Sequence, residues 1–177
     1  MRKKDKEELN KRKFISKKMS RRGTTKLRKT EMDPIYGSNL VTKLINRSMI
    51  DGKKSVARHE IYKAFEIIKE KEGVDPLKIF NQAIENIKPT MEVRPRRIGG
   101  AAYQVPQVVR GIRRESLAIR WLVLAANSRS NSEFHTYADK LVAEIVDASK
   151  GEGLAVKKRT DMERVAEANK AFSHFRW

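Results

Sequence analysis

From residue 38 onward the apolar side chains return every three or four positions, and that pattern breaks once, between residues 91 and 109. The period constrains the fold strongly, because a 3.6-residue repeat places i, i+3, i+4 and i+7 on one face of a helix. Val41, Leu44, Ile45 and Met49 form a first stripe, stopped at Asp51-Gly52. Ile61, Ala64, Phe65 and Ile68 form a second, stopped near Gly73. The third carries Leu77, Phe80, Ile84 and Ile87, with Asp75 as N-cap, Pro76 in the first helical position and Pro89 beyond the end. The run LAIRWLVLAA at 117–126 is apolar on nearly all sides and reads as the buried central helix of a bundle. A strand competes over so short a run, but the alanines and Arg120 favour helix. Ala138, Leu141, Val142, Ile145 and Val146 mark a fifth helix, ending before Gly151 and Gly153. Thr160-Asp161-Met162-Glu163 has the form of a capping box and opens a sixth, with Met162, Val165, Ala166, Asn169 and Phe172 on one side.

The interruption reads VRPRRIGGAAYQVP at 93–106. Met91, Val93 and Pro95 alternate with Glu92, Arg94 and Arg96. Beyond Gly99-Gly100, Tyr103, Val105, Gln107 and Val109 alternate with Gln104, Pro106 and Val108. Two alternating arms around a glycine pair predict a β-hairpin. A proline in each arm excludes a central strand, so the ribbon has two strands and needs outside support. The fold class expected is therefore mainly α: a six-helix bundle with a protruding two-stranded β-hairpin arm at about 91–109.

Charge separates the N-terminal segment from the rest. Residues 1–32 hold 14 Lys/Arg against 4 acids, in a chain with a net charge of +18. They hold few apolar residues and no sustained period, so they read as a basic arm, disordered until it meets a partner. Residues 33–177 read as the helical domain. A transit peptide fits poorly, since Asp5, Glu7 and Glu8 are acids where such peptides are acid-poor. A pI near 10.3 is the footprint of a nucleic-acid binder. No run of 18 or so apolar residues marks a membrane span, so no membrane partner is expected.

Cysteine is absent, which excludes disulfides, thiolate zinc sites and a cysteine nucleophile. His59, His135 and His174 have no metal-ligand spacing. No lysine and serine or threonine follow Gly100 into a helix, so a P-loop is excluded, and no cofactor or metal is expected. What remains is arginine: Arg94, Arg96, Arg97, Arg110, Arg113 and Arg114 lie between Val93 and Arg114 with no acid among them. Such a cluster repels itself unless a polyanion neutralises it, and the guanidinium fork suits phosphate oxygens. The competing reading is a surface cluster held by helix acids elsewhere. Lys53-Lys54, Lys157-Lys158-Arg159, Lys170 and Arg176 add to the same charge. Phe172, Phe175 and Trp177 could stack on bases or pack on the bundle. A DNA- or mRNA-binding regulator would need a polar recognition helix, which 117–126 is not. A nucleic-acid-processing enzyme would need paired carboxylates or an activated nucleophile, and none is assembled.

DPIYGSNL, DGKKS (51–55), RRIGGAAYQVP (96–106), LAIRWL (117–122), AVKKR (155–159) and AEANKAFSHFRW (166–177) together resemble the small-subunit ribosomal protein seven family of bacterial and organellar type. The resemblance runs in order from residue 19 to 177 and leaves 1–18 as an extension. It implies a helical bundle with a protruding hairpin and no enzymatic activity. It implies a primary binder of 16S-type rRNA that nucleates assembly of the 3′ major (head) domain, in a cytoplasmic ribosome or in an organelle stroma or matrix. It implies exit-site tRNA and mRNA nearby, and neighbouring head and platform ribosomal proteins. Carried over by motif, rRNA contact falls to Arg21, Arg22, Lys26, Arg28, Lys53, Lys54, Arg94, Arg96, Arg97, Arg113, Arg114, Lys157, Lys158 and Lys170. The tRNA- and mRNA-proximal surface falls to Ile98, Gly99, Gly100, Tyr103, Arg176 and Trp177. The chain departs from the family pattern at 127–137, where Ala126-Asn127-Ser128-Arg129 keeps one charge in place of a basic cluster and Glu133 and His135 follow, and at Ala101, where a polar residue is usual.

Overall fold

The computed structural model describes residues 30–175. Its folded unit, Glu31–Trp177, contains six α-helices among the described residues: α1 (Asn39–Ser48), α2 (Lys54–Glu72), α3 (Pro76–Ile87), α4 (Ile112–Ser128), α5 (Tyr137–Lys150) and α6 (Gly153–Ala168). Strands β1 (Met91–Ile98) and β2 (Ala101–Val108) stand between α3 and α4, and a 3-10 turn, Lys170–Phe175, follows α6. The mainly α class and the two-stranded hairpin stand as the sequence indicates. Residues 1–29 of the expected disordered arm, with Arg21, Arg22, Lys26 and Arg28, and also Arg176 and Trp177, lie outside the described residues.

The apolar stripes become the core. Val41, Leu44, Ile61, Phe65, Ile68, Phe80, Ile84, Ile87, Leu122, Leu141 and Ile145 are buried. At about 25 cal/mol per Å² of apolar surface withdrawn from water, each large side chain stabilises the fold by about 1.5–3 kcal/mol. The centre is shared, however. Helix α4 packs against α1, α3, α5 and α6, while α5 packs against α2, α3, α4 and α6. Leu124 on α4 is left 51% exposed, so the run 117–126 is not enclosed all round.

The caps show which local signals won. Asp75 Oδ1 accepts from Leu77 N at 3.1 Å, as its position before Pro76 requires. Thr136 caps α5, its Oγ1 accepting from Asp139 N at 3.2 Å. The expected capping box at Thr160 is a correction: α6 begins at Gly153, and Thr160 sits in its interior, donating back to Lys157 O at 2.9 Å. The start is fixed instead by Glu144 of α5, fully buried, whose Oε1 accepts from Ala155 N at 2.8 Å. Its Oε2 takes Nε and Nη2 of Arg129 at 2.8 and 2.6 Å, which compensates the buried charge. Gly153 has φ +90°, and a Cβ there would lie 3.0 Å from Glu144 Oε1, so the closeness of this join demands glycine.

Candidate nucleic-acid interface

The hairpin is an antiparallel pair in which Met91 opposes Val108 and Ile98 opposes Ala101. Gly99 and Gly100 turn it with φ +57° and +91°, the positive pair that a tight two-residue connection requires. Side chains alternate between faces along a strand. Glu92, Arg94, Arg96 and Ile98 therefore share one face with Gln107, Val105, Tyr103 and Ala101. Met91, Val93, Pro95 and Arg97 take the other, with Val108, Pro106, Gln104 and Ala102. Arg97 thus points away from Arg94 and Arg96. It is exposed and makes no ion pair among the described residues.

The arginine cluster has an acid after all, one position before the interval that looked acid-free. Glu92 is buried and binds both Arg94 (2.6 Å from Nε) and Arg113 (3.0 and 2.9 Å from Nε and Nη2). Burial alone would raise its carboxyl, but hydrogen bonds from Arg113 and Arg94 outweigh that and hold it below the ordinary carboxylate range. One carboxylate shared by two guanidiniums leaves a net positive charge, so the hairpin root stays cationic while its geometry is fixed. Arg114 is also tied inward, donating to Pro89 O at 3.1 Å.

The root is fastened to α6 as well. Glu163 Oε1 accepts from Thr90 N at 2.9 Å and from Thr90 Oγ1 at 2.6 Å. Its carboxyl is pushed up by burial, but the Thr90 bonds and the nearby Arg159 and Arg114 bring it down below its ordinary value. Further along the arm, the Tyr103 ring meets Phe172 and Phe175 of the 3-10 turn at centroid distances of 5.2 and 5.5 Å. Phe172 therefore meets the hairpin.

Lys53 and Lys54 are exposed where α2 leaves the Asp51-Gly52 turn. Lys157 and Lys158 are exposed within α6 and line a groove with Leu124, Leu154 and Asp161. Their neighbour Arg159 turns inward, donating to Asn86 O at 2.5 Å. Lys170 opens the 3-10 turn, also exposed, and Ile98 and Tyr103 are half-buried beside the exposed Gly99 and Gly100. The hairpin and the C-terminal turn are thus brought together, while Lys53 and Lys54 sit on a separate element. Arg129 is an internal strut: it bonds Glu144 and Asp147, and its guanidinium stands 5.6 Å over the Phe134 ring. Burial lowers its proton affinity, but the bonds to Asp147 and Glu144 more than restore it. Sequence reasoning missed Glu92, Glu163 and Glu144, because each acts across contacts distant in sequence. Among the described residues no group of acids or histidines could hold a metal, and no helix is long and apolar enough to cross a membrane.

A family model described as ribosomal protein S7p/S5e matches residues 20–170. The chain belongs to that family. Similar relatives come from Carboxydothermus hydrogenoformans (57% identical), Thermodesulfovibrio yellowstonii (55%) and Streptococcus mutans (54%). Each match covers 159 residues, 90% of this chain and the whole of the relative, and each relative is named small ribosomal subunit protein uS7. Membership makes the chain a structural, non-enzymatic ribosomal protein.

Proposed function

We propose that this protein is a structural constituent of the small ribosomal subunit that binds 16S-type rRNA directly and nucleates assembly of the head domain. The family match across residues 20–170 is the observation that carries this reading. A net charge of +18 supports it, as does the absence of an ion pair, among the described residues, for the exposed Arg97, Lys53, Lys54, Lys157, Lys158 and Lys170. Arg94, Arg113 and Arg114 act from fixed positions at the hairpin root, and Arg96 lies across from Tyr103 on the same face. Arg21, Arg22, Lys26 and Arg28 extend the contact through the basic arm, which residues 1–18 lengthen. The hairpin tip at Ile98–Gly100, with Tyr103, Arg176 and Trp177, faces the exit-site tRNA and mRNA. Other head and platform proteins are its protein neighbours, in a cytoplasmic ribosome or an organellar one.

Phosphate neutralisation supplies most of the affinity, and RNA shape supplies the selectivity. The test is binding to a head-domain rRNA fragment and to duplex DNA of equal length across a salt series. The expected result is RNA-selective binding whose log K falls with log salt by about 0.7–0.9 per neutralised phosphate. Equal affinity for both nucleic acids would reduce the basic surface to a generic polycation and overturn the reading.

A further inference from the structure

A two-stranded ribbon does not hold its own direction in water. Two fastenings oppose that. The polar one lies at the root, where Thr90 meets Glu163 and Arg113 meets Glu92. The aromatic one lies further out, where Tyr103 is in ring contact with Phe172 and Phe175. Phe172 and Phe175 belong to a turn that follows the last helix and contributes nothing to the buried core of the bundle. Their described ring partners are Tyr103, one another and, for Phe175, His174. The same turn begins with the exposed Lys170.

We propose that Tyr103, Phe172 and Phe175 form a latch that makes the hairpin and the C-terminal turn one pre-oriented RNA-binding element. The inference rests on the rRNA-binding reading above and deepens it. Phe172 and Phe175 are positioning residues: their rings serve the arginines and Lys170 by fixing where those charges stand. Holding a surface in its bound geometry before the encounter removes an ordering cost from binding, and an arm that is aligned only part of the time binds more weakly by that fraction.

The chain lacks cysteine, so Asn81→Cys on α3 and Gln104→Cys on β2, both exposed positions, accept a pair of spin labels without further change. The distance distribution between them is measured in the free full-length protein. Affinity for the head-domain rRNA fragment is measured in parallel. The expected outcome is a single narrow distribution that broadens in Phe172→Ala and in Tyr103→Ala, with helix content unchanged. Both variants should lose about three- to tenfold in rRNA affinity, in line with the worth of aromatic pairs. Tyr103→Phe should keep the narrow distribution, because the ring and not the hydroxyl does the holding. An unchanged distribution in Phe172→Ala would overturn the latch, whatever the affinity did. Broadening with unaltered affinity would overturn its role in binding. If the unsubstituted chain showed no preference for rRNA, the functional reading would fall while the distances still decided whether the latch exists.

Discussion

Glu92 shows how much one side chain can decide. The arginines it holds, Arg94 and Arg113, come from β1 and from the start of α4, so its carboxylate joins the hairpin to the bundle. Its folded proton affinity is depressed, as is that of Glu163. A group of this kind contributes stability that is full above the unfolded carboxyl value of about 4.3 and drains away as the pH falls through the lower folded value. Thermal midpoints recorded from neutrality down to about pH 3 should therefore drop along an acid limb, and Glu92→Gln should flatten that limb. At neutral pH the substitution should cost about 1–2 kcal/mol, since both arginines are half-exposed and the pair is partly screened. Parallel limbs for the two proteins would show that Glu92 carries no such linkage. At this scale the sequence was partly readable. Alternation along β1 set Glu92, Arg94 and Arg96 on one side, and the register places Arg97 on the other. The pairing of Glu92 with Arg113 was not readable, because it spans 21 positions and exists only once the hairpin root has met α4.

At the scale of elements, helices α1, α2, α3 and α5 follow from apolar period and end signals, and the hairpin follows from alternation around two glycines. The start of α6 does not. Thr160 and Glu163 have the spacing of a capping box, yet a buried acid on α5 receives the first turn of the helix seven positions earlier. A tertiary acceptor displaced the local one, and the freed Glu163 took Thr90 instead. This gives a paired expectation. Thr160→Ala should shift the denaturation midpoint by less than about 0.5 kcal/mol in free energy, since the residue is exposed and bonds only back to its own helix. Thr136→Ala should cost about 1 kcal/mol, because it removes the working cap of α5. Urea titration of the two variants checks both values, and the reverse order would restore the capping box. The aromatic latch was half legible: the C-terminal rings were visible as candidates for stacking or packing, but their partner on β2 was not, since nothing local links residue 103 to residue 172.

At the scale of the whole molecule, the core and the charge do separate work. Apolar period builds a bundle whose members touch in a fixed order, and that bundle holds out a hairpin and a C-terminal turn bearing exposed cations. The candidate site was legible as charge, from arginine density, but not as geometry, and Glu92 just outside the acid-free interval was overlooked. Several of the basic residues are braced by Glu92, Pro89 O or Asn86 O, and only the folded chain reveals which charges stand unpaired. We infer that this surface recognises naked rRNA without help from other proteins. The most direct measurement is chemical footprinting of a protein-free 16S-type head-domain RNA titrated with the full-length chain alone. The account predicts a localised set of protected nucleotides that saturates at one protein per RNA and is lost as salt is raised. Protection that required other head proteins to be added first, or that spread evenly along the RNA, would contradict it.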